Sequence, residues 1–117
     1  MSTSPIFPIS RSEAREVIKL ILNGDLDEAL TLFSERFGIR KPRYKIGLPK
    51  GKSKVWACYD PKRNMICFRD RSAMRNPFIV LHELYHVLRY RGGKHRGTEW
   101  KADQFALEFI KYAVGED

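Results

Sequence analysis

The chain has 117 residues, of which 43% are hydrophobic, and 22 lysines and arginines stand against 14 acidic residues for a formal net charge of +8. That is one domain's worth of chain with enough apolar content for one modest core; no secretory signal is expected, since the best apolar run towards the N-terminus, Val17 to Leu22, is interrupted by Lys19, and no run approaches the length of a membrane span. The charge suits a solvated basic surface, an acidic partner or nucleic acid without choosing among them. Its scatter favours the solvated surface over nucleic acid, although denser runs occur at Arg40 to Lys54 and Arg89 to Arg96. A cytoplasmic protein with no membrane association is expected.

In chain order, residues 1–9 read as a flexible arm ahead of a single domain. Ser10 with Glu13 is a capping box that opens a helix from Arg11 to Leu22, ended by Asn23-Gly24. Asp25 with Glu28 reads as a second box, opening a helix to about Phe37 that Gly38 ends; Leu26, Ala29, Leu30, Phe33 and Phe37 give it an apolar stripe. Pro42 to Leu48 reads as a strand, followed by a turn at Pro49-Lys50-Gly51-Lys52. Val55 to Tyr59 and Met65 to Arg69 then form a hairpin around residues 60–64. Pairing Ala57 with Phe68 puts Val55, Ala57, Tyr59, Ile66 and Phe68 on the core face, with Trp56 and Met65 opposite. The two cysteines, Cys58 and Cys67, are not spaced as metal ligands or as a disulfide framework. The hairpin could set them side by side for one cross-strand disulfide; two free, buried thiols in a reducing compartment is the simpler reading.

Asp70 to Arg75 links the sheet to the stretch that asks for chemistry. Asn76 as N-cap and Pro77 at the first helical position open a helix that runs to about Tyr90, with Gly92-Gly93 as its stop. Inside it lies His82-Glu83-Leu84-Tyr85-His86. Histidines four apart on a helix point from one face, since each residue turns the axis by about 100°, and one metal ion can bridge them. Glu83, next to His82, then stands where the general base of a zinc peptidase stands. The helix is apolar almost all round, so two histidines within it need their polar atoms satisfied.

A catalytic zinc takes three protein ligands. Thr98 or Gly97 caps a last helix in which Glu99 and Asp103 lie four apart on one face. Glu99 can bind the metal, and Asp103 can accept a hydrogen bond from the free ring nitrogen of a ligating histidine. Taken singly, Glu99 also reads as a helix-start carboxylate against the dipole, and Asp103 as a solvated charge.

Taken together, His-Glu-x-x-His followed by Glu-x-x-Ala-Asp-x-Phe-Ala resembles the gluzincin metallopeptidases over Val55 to Tyr112, above all the small single-domain minigluzincins, with a related pattern in the ImmA/IrrE-like metallopeptidases. The resemblance implies one catalytic zinc held by His82, His86 and Glu99, Glu83 as base, Asp103 behind a ligating histidine, and hydrolysis of a peptide or protein substrate. It also implies three antiparallel strands before the metal helix, one edge strand bordering the cleft. In so small a protease a terminus of the chain, or of a neighbouring chain, could lie across the cleft and inhibit it. The segment between His86 and Glu99 is much shorter than in larger gluzincins, so their pocket detail does not carry over. No residue matches their oxyanion-steadying His or Tyr; Tyr90, His95, Arg96 and Tyr112 stand unranked.

A rival alignment likens His95-Arg96-Gly97-Thr98-Glu99-Trp100-Lys101 to the His-Gly-x-x-Trp-Lys segment of SprT-like DNA-associated proteases, with His95 as third ligand. It needs one inserted residue, whereas the Glu99 alignment needs none, and Glu99 is preferred. A basic nucleic-acid-binding domain with a structural metal and a catalytically silent regulatory module that binds protein remain as alternatives. The fold expected is α+β: two N-terminal helices, a small three-stranded antiparallel sheet, the HExxH helix and a ligand-bearing C-terminal helix.

Overall fold

The computed structural model describes residues 7–52, 54–91, 94–95 and 97–115, and of residues 91, 94 and 95 the backbone alone. The fold is α+β. The expected capping box starts α1 (Arg11–Leu22): the Ser10 hydroxyl accepts from the Glu13 N–H at 3.1 Å, and the Glu13 carboxylate accepts from the Ser10 N–H at 3.3 Å. Helix α2 (Leu26–Phe37) ends as expected at Gly38, whose left-handed φ of 67° suits glycine. The second box does not form, and Asp25 makes no side-chain cap bond. Its N–H is given instead to the Leu20 carbonyl at 2.8 Å, so the tight turn between the helices takes the donor that Glu28 would have met.

Strands β1 (Arg43–Ile46), β2 (Ala57–Asp60) and β3 (Met65–Phe68) form one sheet in the order β1-β3-β2. The hairpin register is the expected one, Ala57 opposite Phe68. The all-antiparallel expectation needs correction, because β1 runs parallel to β3. The stretch from Gly47 to Trp56 is long enough to carry β2 past its neighbour's place, and β3 fills the gap. Backbone bonds from Arg43 N–H to Asn64 O, 2.7 Å, and from Gly47 N–H to Phe68 O, 2.8 Å, fix the parallel pair at both ends. Asn64 also ties the hairpin turn to the approach of β1, accepting from Tyr59 Oη at 2.7 Å and donating to the Lys41 carbonyl at 3.1 Å. Ile66, Phe68 and Ala57 are buried as expected, but Val55 precedes β2 and stays exposed.

The link at residues 70–75 contains a short helix, α3 (Arg71–Met74), capped by Asp70. Helix α4 (Pro77–Arg89) opens as expected, the Asn76 side chain accepting from the Ile79 N–H at 3.2 Å. It stops one residue early because Tyr90 turns extended and begins β4 (Tyr90–Arg91), which pairs with β5 (Lys94–His95). The expected Gly92-Gly93 stop lies outside the described residues. Thr98 caps α5 (Glu99–Ala113), accepting from the Lys101 N–H at 3.4 Å.

Helix α5 packs along α4 on one side and α1 on the other. Residues 7–9, expected in the flexible arm, are seated: Phe7 and Ile9 are each 4% exposed, and Phe7 lies against Phe37, Phe105, Phe109 and Tyr112. With Phe33 stacked on Phe37 at 4.0 Å, these rings wedge α2 against α5. Among the described residues no helix is long and apolar enough to cross a membrane.

Candidate metal centre

The α4–α5 packing brings four of the expected residues to one point. His82 and His86 leave the same face of α4 with ring centroids 5.0 Å apart. Glu99, in the first turn of α5, straddles them: one carboxylate oxygen lies 2.9 Å from His82 Nε2 and the other 3.0 Å from His86 Nε2. One turn further along, Asp103 Oδ1 lies 2.8 Å from His82 Nδ1. His82 is thus held between two carboxylates. A neutral imidazole has one N–H to give, and a cation at Nε2 satisfies the second carboxylate while Nδ1–H goes to Asp103.

Donor atoms of His82, His86 and Glu99 all lie within 4.8 Å of one another. A tetrahedral ion with ligand distances of about 2.0–2.1 Å separates its ligands by about 3.4 Å, so small side-chain rotations suffice to admit one. Two imidazoles and a carboxylate are also the donor types such an ion prefers. The residues present fit a metal.

Glu83 is different in kind. It is buried, 5% exposed, and its carboxylate stands 3.9 Å from His82 Nε2, beside the three-residue donor cluster and not part of it. Burial pushes its pKa up to about 7, His82 opposing the rise and Glu99 adding to it.

Gly97 is a residue the sequence pointed to only as a possible cap. A Cβ there would run into the Tyr85 ring, with Tyr85 Oη at 2.7 Å. The missing side chain lets the approach to α5 lie flat on α4 beside His86, which sets where Glu99 emerges. Of the unranked oxyanion candidates, Tyr90 lines the same cavity as Glu83 and His86. Tyr112 is turned away, its hydroxyl given to the Ile9 carbonyl at 2.6 Å. Arg96 and the His95 side chain lie outside the described residues; the His95 backbone pairs with Tyr90.

The cleft has two lobes, of about 440 and 290 Å3, which share Val55, Ala57, Glu83 and Glu99. His86, Tyr59 and Tyr90 line the first; His82, Trp56 and Ile79 line the second. The candidate metal cluster therefore lies midway along a groove walled by β2. That strand's role as the wall was left open by the sequence. No family model, no curated protein and no solved structure matches the chain.

Glu83 has its folded pKa raised from 4.5 to about 7, so between those values the folded chain keeps a proton that the unfolded chain has released. Stability of the metal-free protein then falls as pH rises through that window, by about 3 kcal/mol at most. Thermal unfolding with and without the Glu83→Gln substitution checks this, since their difference cancels the titrating groups not coupled to Glu83; parallel pH profiles would contradict it. Substituting Asp103→Ala leaves the three donors in place but frees the His82 ring, and metal affinity should drop about 10- to 100-fold, read by competition with a chromogenic chelator.

Proposed function

We propose that this chain is a zinc-dependent peptidase of the minigluzincin kind, hydrolysing peptide bonds in the groove along β2. The observation that carries the reading is the His82–His86–Glu99 cluster with the buried Glu83 carboxylate beside it. A bound zinc would supply Lewis acidity, acidifying water toward a pKa of about 7 and polarising a carbonyl.

The chain's own residues supply the rest. Glu83 takes a proton from the attacking water and passes it to the leaving amine nitrogen, from a buried position beside the donor cluster. Asp103, bonded to Nδ1, keeps His82 in the tautomer that turns Nε2 toward the ion. β2 is an edge strand of the sheet, and its open main-chain groups can hold an extended peptide by strand addition, with side chains entering the two lobes. A cytoplasmic, reducing setting goes with the proposal, since both cysteines are free.

The test is Glu83→Gln. The variant should keep its zinc and lose at least about 100-fold in cleavage of casein or a mixed peptide library. Parent-like cleavage by the variant would contradict the assigned base. A zinc-loaded parent that binds peptides but turns over none would move the chain to the regulatory, protein-binding alternative.

A further inference from the structure

The sequence contains two cysteines, and the fold sets them directly opposite each other: Cys58 on β2 is the register partner of Cys67 on β3. Side chains of directly opposed residues stand on the same face of a sheet. The bond from Arg69 N–H to the Trp56 carbonyl, 2.8 Å, marks Trp56 and Arg69 as a hydrogen-bonded pair, and the alternation of antiparallel pairs makes Cys58 and Cys67 the next one, with Cα atoms about 5.5 Å apart. That spacing lies within the range a disulfide spans, about 4.4–6.8 Å. Both thiols are free. Cys67 is buried, whereas Cys58 is half-buried and lines the cleft lobe that holds Glu83 and His86. A small reagent entering that lobe meets Cys58 first.

We propose that Cys58 and Cys67 form a reversible dithiol–disulfide site in the wall of the cleft, with a low-molecular-weight disulfide such as oxidised glutathione as its oxidant. In the first step the Cys58 thiolate attacks one sulfur of oxidised glutathione, forming a mixed disulfide and releasing one reduced glutathione. The Cys67 thiolate then attacks the Cys58 sulfur, closing the intramolecular bridge and releasing the second. Two protein thiols are oxidised, one glutathione disulfide is reduced, and the two thiol protons end on the two reduced glutathiones. Burial, with the Cys67 thiol and the Glu83 carboxylate beside it, holds the Cys58 thiol up at about 11, so the first step is slow at neutral pH and quickens as pH rises. Opposed Cβ atoms in a hydrogen-bonded pair stand near 5.5 Å and a bridge holds them near 3.8 Å. Closure therefore draws β2 toward β3 and shifts the cleft wall next to Trp56.

The site needs no peptidase activity, so its test is separate from that of the proposed function. The full chain carrying Trp100→Phe, which leaves Trp56 as its one tryptophan, is incubated folded with oxidised glutathione at mildly alkaline pH and then desalted. The expected product is a monomer that has lost both titratable thiols and the mass of two hydrogen atoms. Its far-ultraviolet circular dichroism should be unchanged and its Trp56 emission altered, with dithiothreitol reversing both the mass and the emission change. Under the same treatment Cys67→Ser should stop at a glutathione adduct on Cys58, and Cys58→Ser should keep its buried thiol. Two thiols still free in the parent chain, a glutathione adduct on Cys58 that never closes, or disulfides formed only between chains would each overturn the proposal.

Discussion

His82 stands between two carboxylates, Glu99 on one ring nitrogen and Asp103 on the other, and the rest of the site depends on that bracket. Both carboxylates come from α5, so the bracket closes only if α5 lies along α4 in one register. Gly97 permits the approach at the start of α5, Thr98 caps the turn that carries Glu99, and the Phe7, Phe33, Phe105 and Phe109 rings press the helix down behind it. Glu99 reaches His86 as well, so one exposed carboxylate joins both rings of α4. Together with Glu83 the site gathers three carboxylates around two imidazoles. A divalent cation offsets that excess of negative charge; without one, burial makes Glu83 hold its proton to about pH 7.

Much of this was legible because its causes are local. HExxH places two rings on one helical face whatever surrounds it, Asn76-Pro77 and Thr98 fix where the two helices begin, and Glu99 and Asp103 share a face by spacing alone. The hairpin register was legible too, since alternation leaves one way to bury Phe68 and Ala57 together. What escaped the sequence depends on partners distant in the chain. The parallel pairing of β1 with β3 rests on Asn64 bonding back to Lys41 across the turn. Phe7 looked like part of a loose arm because the rings that bury it come from α2 and α5. The failed box at Asp25 turned on one competing carbonyl, that of Leu20, which helix-cap patterns do not include.

β2 is where sheet and site meet. It is an edge strand of the sheet, its residues wall both lobes of the cleft, and its pairing with β3 aligns the two thiols. A change in β2 is thereby a change in the groove. Helix α5, by contrast, carries the chain away: its cap at Val114 lies about 22 Å along the axis from Glu99, where Arg11 and Arg15 bond the Tyr112 and Ala113 carbonyls. The described end of the chain does not lie across the cleft.

The central claim is that two α4 histidines and one α5 carboxylate hold a metal ion. Zinc stoichiometry, measured by elemental analysis on the parent and on the His86→Ala, Glu99→Ala and His95→Ala variants, tests it most directly. The account predicts one zinc per parent chain, lost in the first two variants and kept in the third. A parent that takes up no metal under any loading condition, or zinc that survives Glu99→Ala and is lost with His95→Ala, would contradict it.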